Sequence, residues 1–152
     1  MRETLTIWNS KEARAFLQKV NEQWGCAWKP DQSFISNNQG KVFLITRDLA
    51  LIDWTTLRIS SVGMYVGEDH DGRVRLSIEG SQLIGPLATK NIIDVERETA
   101  MLWIKGHDIE VKGEFSGHVI VRSGNDYMGT GAYKEGQLLN HVPKARRLPE
   151  QA

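Results

Sequence analysis

The sequence predicts an α+β domain: a helix-containing N-terminal region, then a curled, mostly antiparallel sheet closing towards a small pseudo-barrel with helices on its flanks. Three observations carry this. An apolar stripe of period 3.6 follows Asn9. The last third of the chain switches to period two, in three runs separated by short polar and glycine turns. Between them lies a second, shorter helical pattern.

In order, Asn9 can cap a helix whose Glu12, three residues on, completes a capping box. Ala13, Phe16, Leu17, Val20 and Trp24 make its apolar face, and Gly25 ends it. Turn-rich WKPDQSF and SNNQGK lead into a strand at KVFLIT (41–46). LRISSVGMYVG (57–67) and RVRLSI (73–78) read as two strands joined by the acidic turn EDHDG, and SQLIGPLA holds a short helix broken before Pro86. A further helix is expected from Asp94 to Lys105, capped by Asp94, with Val95, Thr99, Leu102 and Trp103 inward and Gly106 just past its end. GHVIVR (117–122), DYMGTGAY (126–133) and QLLNHV (137–142) are the closing strands, and PKARRLPEQA is a basic, extended tail.

At 152 residues the chain has room for one ordinary domain. Nineteen Lys and Arg balance nineteen Asp and Glu, which excludes gripping a polyanion by bulk charge but leaves room for a local basic patch. One cysteine, Cys26, excludes a disulfide framework and a multi-thiolate zinc site. No apolar run reaches the ~18 residues a membrane helix needs, and MRETLTIWNSKEAR lacks a signal core, so a cytoplasmic protein is expected.

Enzyme signatures are missing as well. There is no phosphate loop, no H-E-x-x-H and no G-x-S-x-G, so no catalytic residue, metal or cofactor is expected. What remains is a set of positive and amide side chains among aromatic and glycine-bearing strands: Arg122, Lys134, Asn140, Lys144, Arg146 and Arg147. Arg and Lys neutralise phosphates, and an amide can read a base edge. Asn140 and His141 fall on opposite faces of the closing strand, and Asn140 is expected outward, His141 packed. Gly129 and Gly131 would let a backbone approach a ligand.

The order WIKGHDIE, then GHVIVRSGNDYMGTGAYKEGQLLNHVPKARRL, with Gly63-Met64-Tyr65-Val66-Gly67 before it, resembles the PUA-like RNA-binding domain that ends Nol/Nop/Sun (Fmu-type) RNA cytosine-C5 methyltransferases. The closing run of Leu138, Asn140, His141, Pro143, Lys144 and an arginine carries most of the likeness. It implies residues 1–56 as an N-terminal helix–strand region, 57–148 as a PUA-like domain and 149–152 as a tail. Those methyltransferases place a cofactor-binding domain and catalytic cysteines before this one. This sequence holds neither motif, so it is similar to the stand-alone, archaeal type grouped with ribosome biogenesis. The resemblance implies a non-enzymatic binder of rRNA or tRNA, with an RNA methyltransferase or a ribosomal particle as partner. Two other readings are a protein-interaction module using the acidic 94–114 stretch, and a small nucleotide-directed enzyme of the wider PUA superfamily.

Overall fold

The computed structural model describes residues 4–46 and 63–151. They form two five-stranded sheets and three helices. The first sheet takes its strands in sequence order, all antiparallel: β1 (Leu5–Ile7), β2 (Ser33–Asn37), β3 (Lys41–Ile45), β4 (Met64–His70) and β5 (Arg73–Leu76). The second uses β6 (Ile92–Asp94), β7 (Ile109–Glu110), β8 (His118–Ser123), β9 (Asp126–Lys134) and β10 (Gln137–Asn140) in the order β6-β8-β9-β10-β7. Only β6 and β8 pair in parallel there, and the long connection that a parallel pair requires contains a helix. Register shifts in β3 at Val42/Phe43 and in β8 at Ile120/Arg122 add local twist and help curl the sheets.

Helix α1 (Ser10–Trp24) begins as its sequence dictates. The Asn9 side chain accepts from Glu12 N at 2.9 Å while the Glu12 carboxylate accepts from Asn9 N, and Gly25 ends the helix in the left-handed region. Its buried face of Phe16, Val20 and Trp24 lies against Phe34, Val42, Leu44 and Val66 of the first sheet, and Ile120 of β8 joins the same core. Trp8, Phe16, Phe34 and Trp28 meet there edge-on or tilted at 5.2–5.9 Å, geometries that suit the ring quadrupole.

A second core centres on Trp103 of α3 (Arg97–Ile104), against Val119, Val121, Met128, Leu138 and Val142. Both Trp24 and Trp103 are fully buried, as their places on the apolar stripes require. Between the cores, α2 (Ile78–Ile84) lies on β4 and β9. It is followed by a 3-10 turn at Gly85–Leu87, with Pro86 inside the turn.

Several sequence expectations need correction. Asp94 does not cap α3. It ends β6, with its carboxylate on Arg122, and Glu96 occupies the cap position. Leu102 is 46% exposed, and Ala100 takes the inward place assigned to it, because Ala100 lies three residues before the buried Trp103 on the same helix face while Leu102, next to Trp103, turns aside. The acidic turn narrows to Asp71-Gly72, both at positive φ, so Glu68, Asp69 and His70 stay in β4. That two-residue turn suits a tight hairpin. The tail is not extended. A 3-10 turn at Lys144–Arg146 folds it back, Leu148 N donates to Ile104 O, and Glu150 accepts from Lys105 and meets His107. The strand expected from residue 57 lies partly outside the described residues, as does the boundary at 56/57. The first sheet hydrogen-bonds across that boundary, from β3 to β4.

Candidate nucleic-acid interface

The two sheets meet along a seam between β5 and the strands β8 and β9. Alternation along β5 builds one wall. Val74 and Leu76 are buried in the core, so Arg73 and Arg75 take the opposite face. Thr130 Oγ1 donates to Leu76 O at 3.1 Å, which ties β9 to the end of β5. Ser77 then turns the chain: its hydroxyl donates to Tyr65 O and accepts from Gly80 N at 2.9 Å, starting α2. The opposite wall is His141, Val142 and Pro143, and the folded tail brings Arg146 over the opening. The result is a cleft lined by Tyr65, Arg75, Ser77, Thr130, His141 and Arg146.

The electrostatics of the cleft are specific. Arg75 pairs with Glu68 through Nη2, while its Nη1 lies 3.3 Å from His141 Nδ1. A guanidinium only donates, so Nδ1 must accept, and the His141 proton sits on Nε2 as a donor. Arg146 Nη1 pairs with Glu79 Oε1 at 2.6 Å and stays about half exposed. Burial and then the charge on Arg75 lower the His141 pKa, against the opposing pull of Asp108 and Glu68. The Tyr65 hydroxyl is pushed up to about 12, chiefly by burial and then by Glu68, so it remains a neutral donor. The His118 ring stands 5.7 Å from that of His141.

His118 is held neutral more firmly still. Burial first, then His141, Arg75 and Arg73, lower its pKa from 6.5 to about 4. Above about pH 6.5 the imidazole is neutral in the folded and unfolded chain alike. Between about 6.5 and 4 the unfolded chain takes the proton first, so stability must decline as pH falls through that window and level off below it. Denaturant unfolding at pH 7, 6 and 5 should record this decline, and His118→Asn should flatten it. An equally steep decline in His118→Asn would assign the effect to other groups.

Of the six basic and amide residues singled out in the sequence, only Arg146 lines this cleft; Lys144 is exposed beside it on the same 3-10 turn. Arg122 is engaged with Asp94, at 2.8 Å from Nη2 to Oδ2, and lies over the Tyr127 ring, clamping β6 to β8. Lys134 is exposed at the far end of β9, five residues from Gly129 and therefore about 16–17 Å along the strand. Arg147 Nε donates to Val142 O at 2.9 Å, and its side chain covers Gly106.

Asn140 and His141 exchange the places expected of them. Leu138 is fully buried, so Asn140, two residues on, takes the same inward face. Its Nδ2 donates to Trp103 O and His107 O at 2.7 and 2.9 Å, and its Oδ1 accepts from Val142 N. An amide so fully used fastens the end of α3 to the closing strand and has nothing left for a base. Gly131 serves packing, since a Cβ there would lie 2.5 Å from the Trp103 ring, whereas Gly129 does line the cleft. The residues that sequence reasoning passed over are Tyr65, Arg75 and His118. Among the described residues, no three His, Cys, Asp or Glu side chains gather as metal ligands. No described helix is long and apolar enough to cross a membrane.

Residues 90–148, which span the second sheet, match the family model of the methyltransferase RsmF PUA domain. The fold is PUA-like. Curated relatives agree with the match. The ribosomal RNA small subunit methyltransferase F of Vibrio cholerae serotype O1 (strain M66-2) is 25% identical over 89 residues, which is 58% of this chain and 19% of that protein. The protein of the same name from Vibrio vulnificus (strain YJ016) is 25% identical over 88 residues, with the same shares. The chain therefore spans about 19% of the length of these relatives. The PUA-like half contributes one side of the cleft, Thr130, His141 and Arg146, and β4, β5 and the start of α2 contribute the other.

Proposed function

We propose that this chain is a non-enzymatic RNA-binding module that takes rRNA or tRNA at the seam cleft. Its setting is ribosome biogenesis or RNA modification in the cytoplasm, beside an RNA methyltransferase or a ribosomal particle. Fold likeness alone would not support a ligand. The observation that carries the reading is the convergence of Arg75, His141 and Arg146, from three separate elements, on one opening. Arg146 and Lys144 meet phosphates, and the neutral imidazole of His141 offers a single donor to a phosphate or base oxygen.

The test is a filter-binding titration of ribosomal and transfer RNA across a salt series. Replacing Lys144 and Arg146 together by Ala should weaken binding to all RNAs and flatten the salt slope by about 1–2 units, since two phosphate contacts and their counterions are lost. Arg147 is left intact in this variant because it holds the Val142 carbonyl. An unchanged slope would remove the tail from the site. RNA retention indifferent to salt, or absent, would favour the protein-interaction reading.

A further inference from the structure

We infer that the ligand is a single RNA strand that continues across the seam, held by a second cleft beyond the His141–His118 pair. The second cleft is lined by Lys19, Glu22, Gln23, Arg73, Gly117 and His118 among others, where α1, β5 and the start of β8 meet. The two openings are adjoining parts of one path. His141 lines the first and His118 the second, with rings 5.7 Å apart. Arg75 lines the first and Arg73 the second, two residues apart on the same face of β5 and so about 6.5–7 Å from each other. That interval is close to the spacing of successive phosphates in an extended strand.

The chemistry along the path is that of a thin, polar ligand with a regular charge. Arg73 is exposed and makes no ion pair among the described residues, while Lys19 is held 2.8 Å from Asp69 at the far rim. Between the arginines lie two imidazoles, each disfavoured from charging by burial, which offer hydrogen bonds without adding charge. Gln23 Nε2 donates to Ser116 O and His118 O at 2.7 and 2.9 Å, fixing the floor of the second cleft. Carboxylates stand beside the cations, Asp69 at Lys19, Glu68 at Arg75 and Glu79 at Arg146, so the track is not broadly basic. A duplex, which presents two phosphate rows across a wide surface, gains little from one narrow line of cations flanked by acids. An unpaired strand can follow that line and turn its bases to the imidazoles, Tyr65 and Ser77.

This inference rests on the RNA-binding reading, and one experiment separates the two. Octauridylate and a blunt RNA duplex of equal length are titrated against the full chain, Arg73→Ala and Arg146→Ala over a salt series. Arg73 is exposed, and a circular-dichroism melt at the wild-type temperature establishes that its replacement leaves the fold intact. Each variant should bind octauridylate about threefold to fivefold more weakly, with the salt slope reduced by about 0.7 units, the value for one single-strand phosphate contact. The duplex should bind the wild type at least about tenfold more weakly than the single strand does. If Arg146→Ala weakens binding and Arg73→Ala does not, RNA occupies the first cleft alone: the seam path falls and the RNA-binding reading stands. If the duplex binds as tightly as the single strand, the ligand class is wrong. If the wild type binds no RNA in any form, the broader reading falls with the inference.

Discussion

Trp103→Ala should lower unfolding free energy by about 3–5 kcal/mol, much of the ~5–15 kcal/mol available to a domain of this size. The indole is completely buried at the centre of the second core and contacts residues from β8, β9 and β10. Its Nε1 donates to Met128 O at 2.8 Å, so truncation also strands a buried carbonyl. Relaxation cannot close the hole easily. Gly131 has no side chain to offer, and the β9–β10 ladder holds the strands on either side of it in register. Trp103→Phe keeps most of the apolar area and loses the hydrogen bond, so it should cost visibly less. Urea unfolding followed by far-UV circular dichroism reads both, and a loss below about 1 kcal/mol for Trp103→Ala would contradict this account of the core.

Much of the architecture was legible in local chemistry. The Asn9–Glu12 box, the αL glycine at 25 and the stripe ending at Trp24 are short-range instructions, and the structure carries them out as written. The hairpin turns at Asp71-Gly72 and Glu135-Gly136 were equally local, because each places a glycine at a positive φ that most side chains avoid. The end of the chain was harder. The basic sequence KARR suggests a solvated tail, but its fate depends on Glu79, sixty-seven positions away from Arg146, and on a helix carbonyl at Ile104. The Asn140–His141 exchange has a narrower cause. Either Leu138 or Leu139 could have been the core leucine, and that choice alone sets which side Asn140 faces. Pairing with β7 on one side and β9 on the other settled it for Leu138. The cleft was the least legible feature. Arg75 looks like one residue of an amphipathic strand until β5 is set beside β8 and β9, and no local pattern announces a contact between sheets.

Gly80→Ala should be nearly as damaging as the tryptophan truncation and should act on the cleft as well. A methyl group at residue 80 would stand 2.0 Å from the carbonyl oxygen of Val66, a main-chain atom of β4 with no rotamer through which to yield. That oxygen already accepts from Ser77 N at 2.9 Å, so moving it breaks the bond that seats the start of α2. The helix must instead lift from the sheet, which opens the buried Ser81 hydroxyl and its contact with Gly129 N. The cost should reach the upper part of the range for overpacked cores, about 3 kcal/mol. Because Ser77 and Glu79 stand on this helix and Gly129 on the facing strand, the same displacement spoils the cleft where Arg75, His141 and Arg146 converge. Gly124→Ala, in the turn between β8 and β9 and outside both clefts, is the informative comparison: its added methyl meets nothing within 4 Å, so it should show only the smaller cost of a strained turn and keep RNA binding. Parallel unfolding and RNA titrations of the two variants separate crowding from backbone strain. If Gly80→Ala bound RNA with wild-type affinity at a temperature where it remains folded, the wall formed by α2 would have no part in the site.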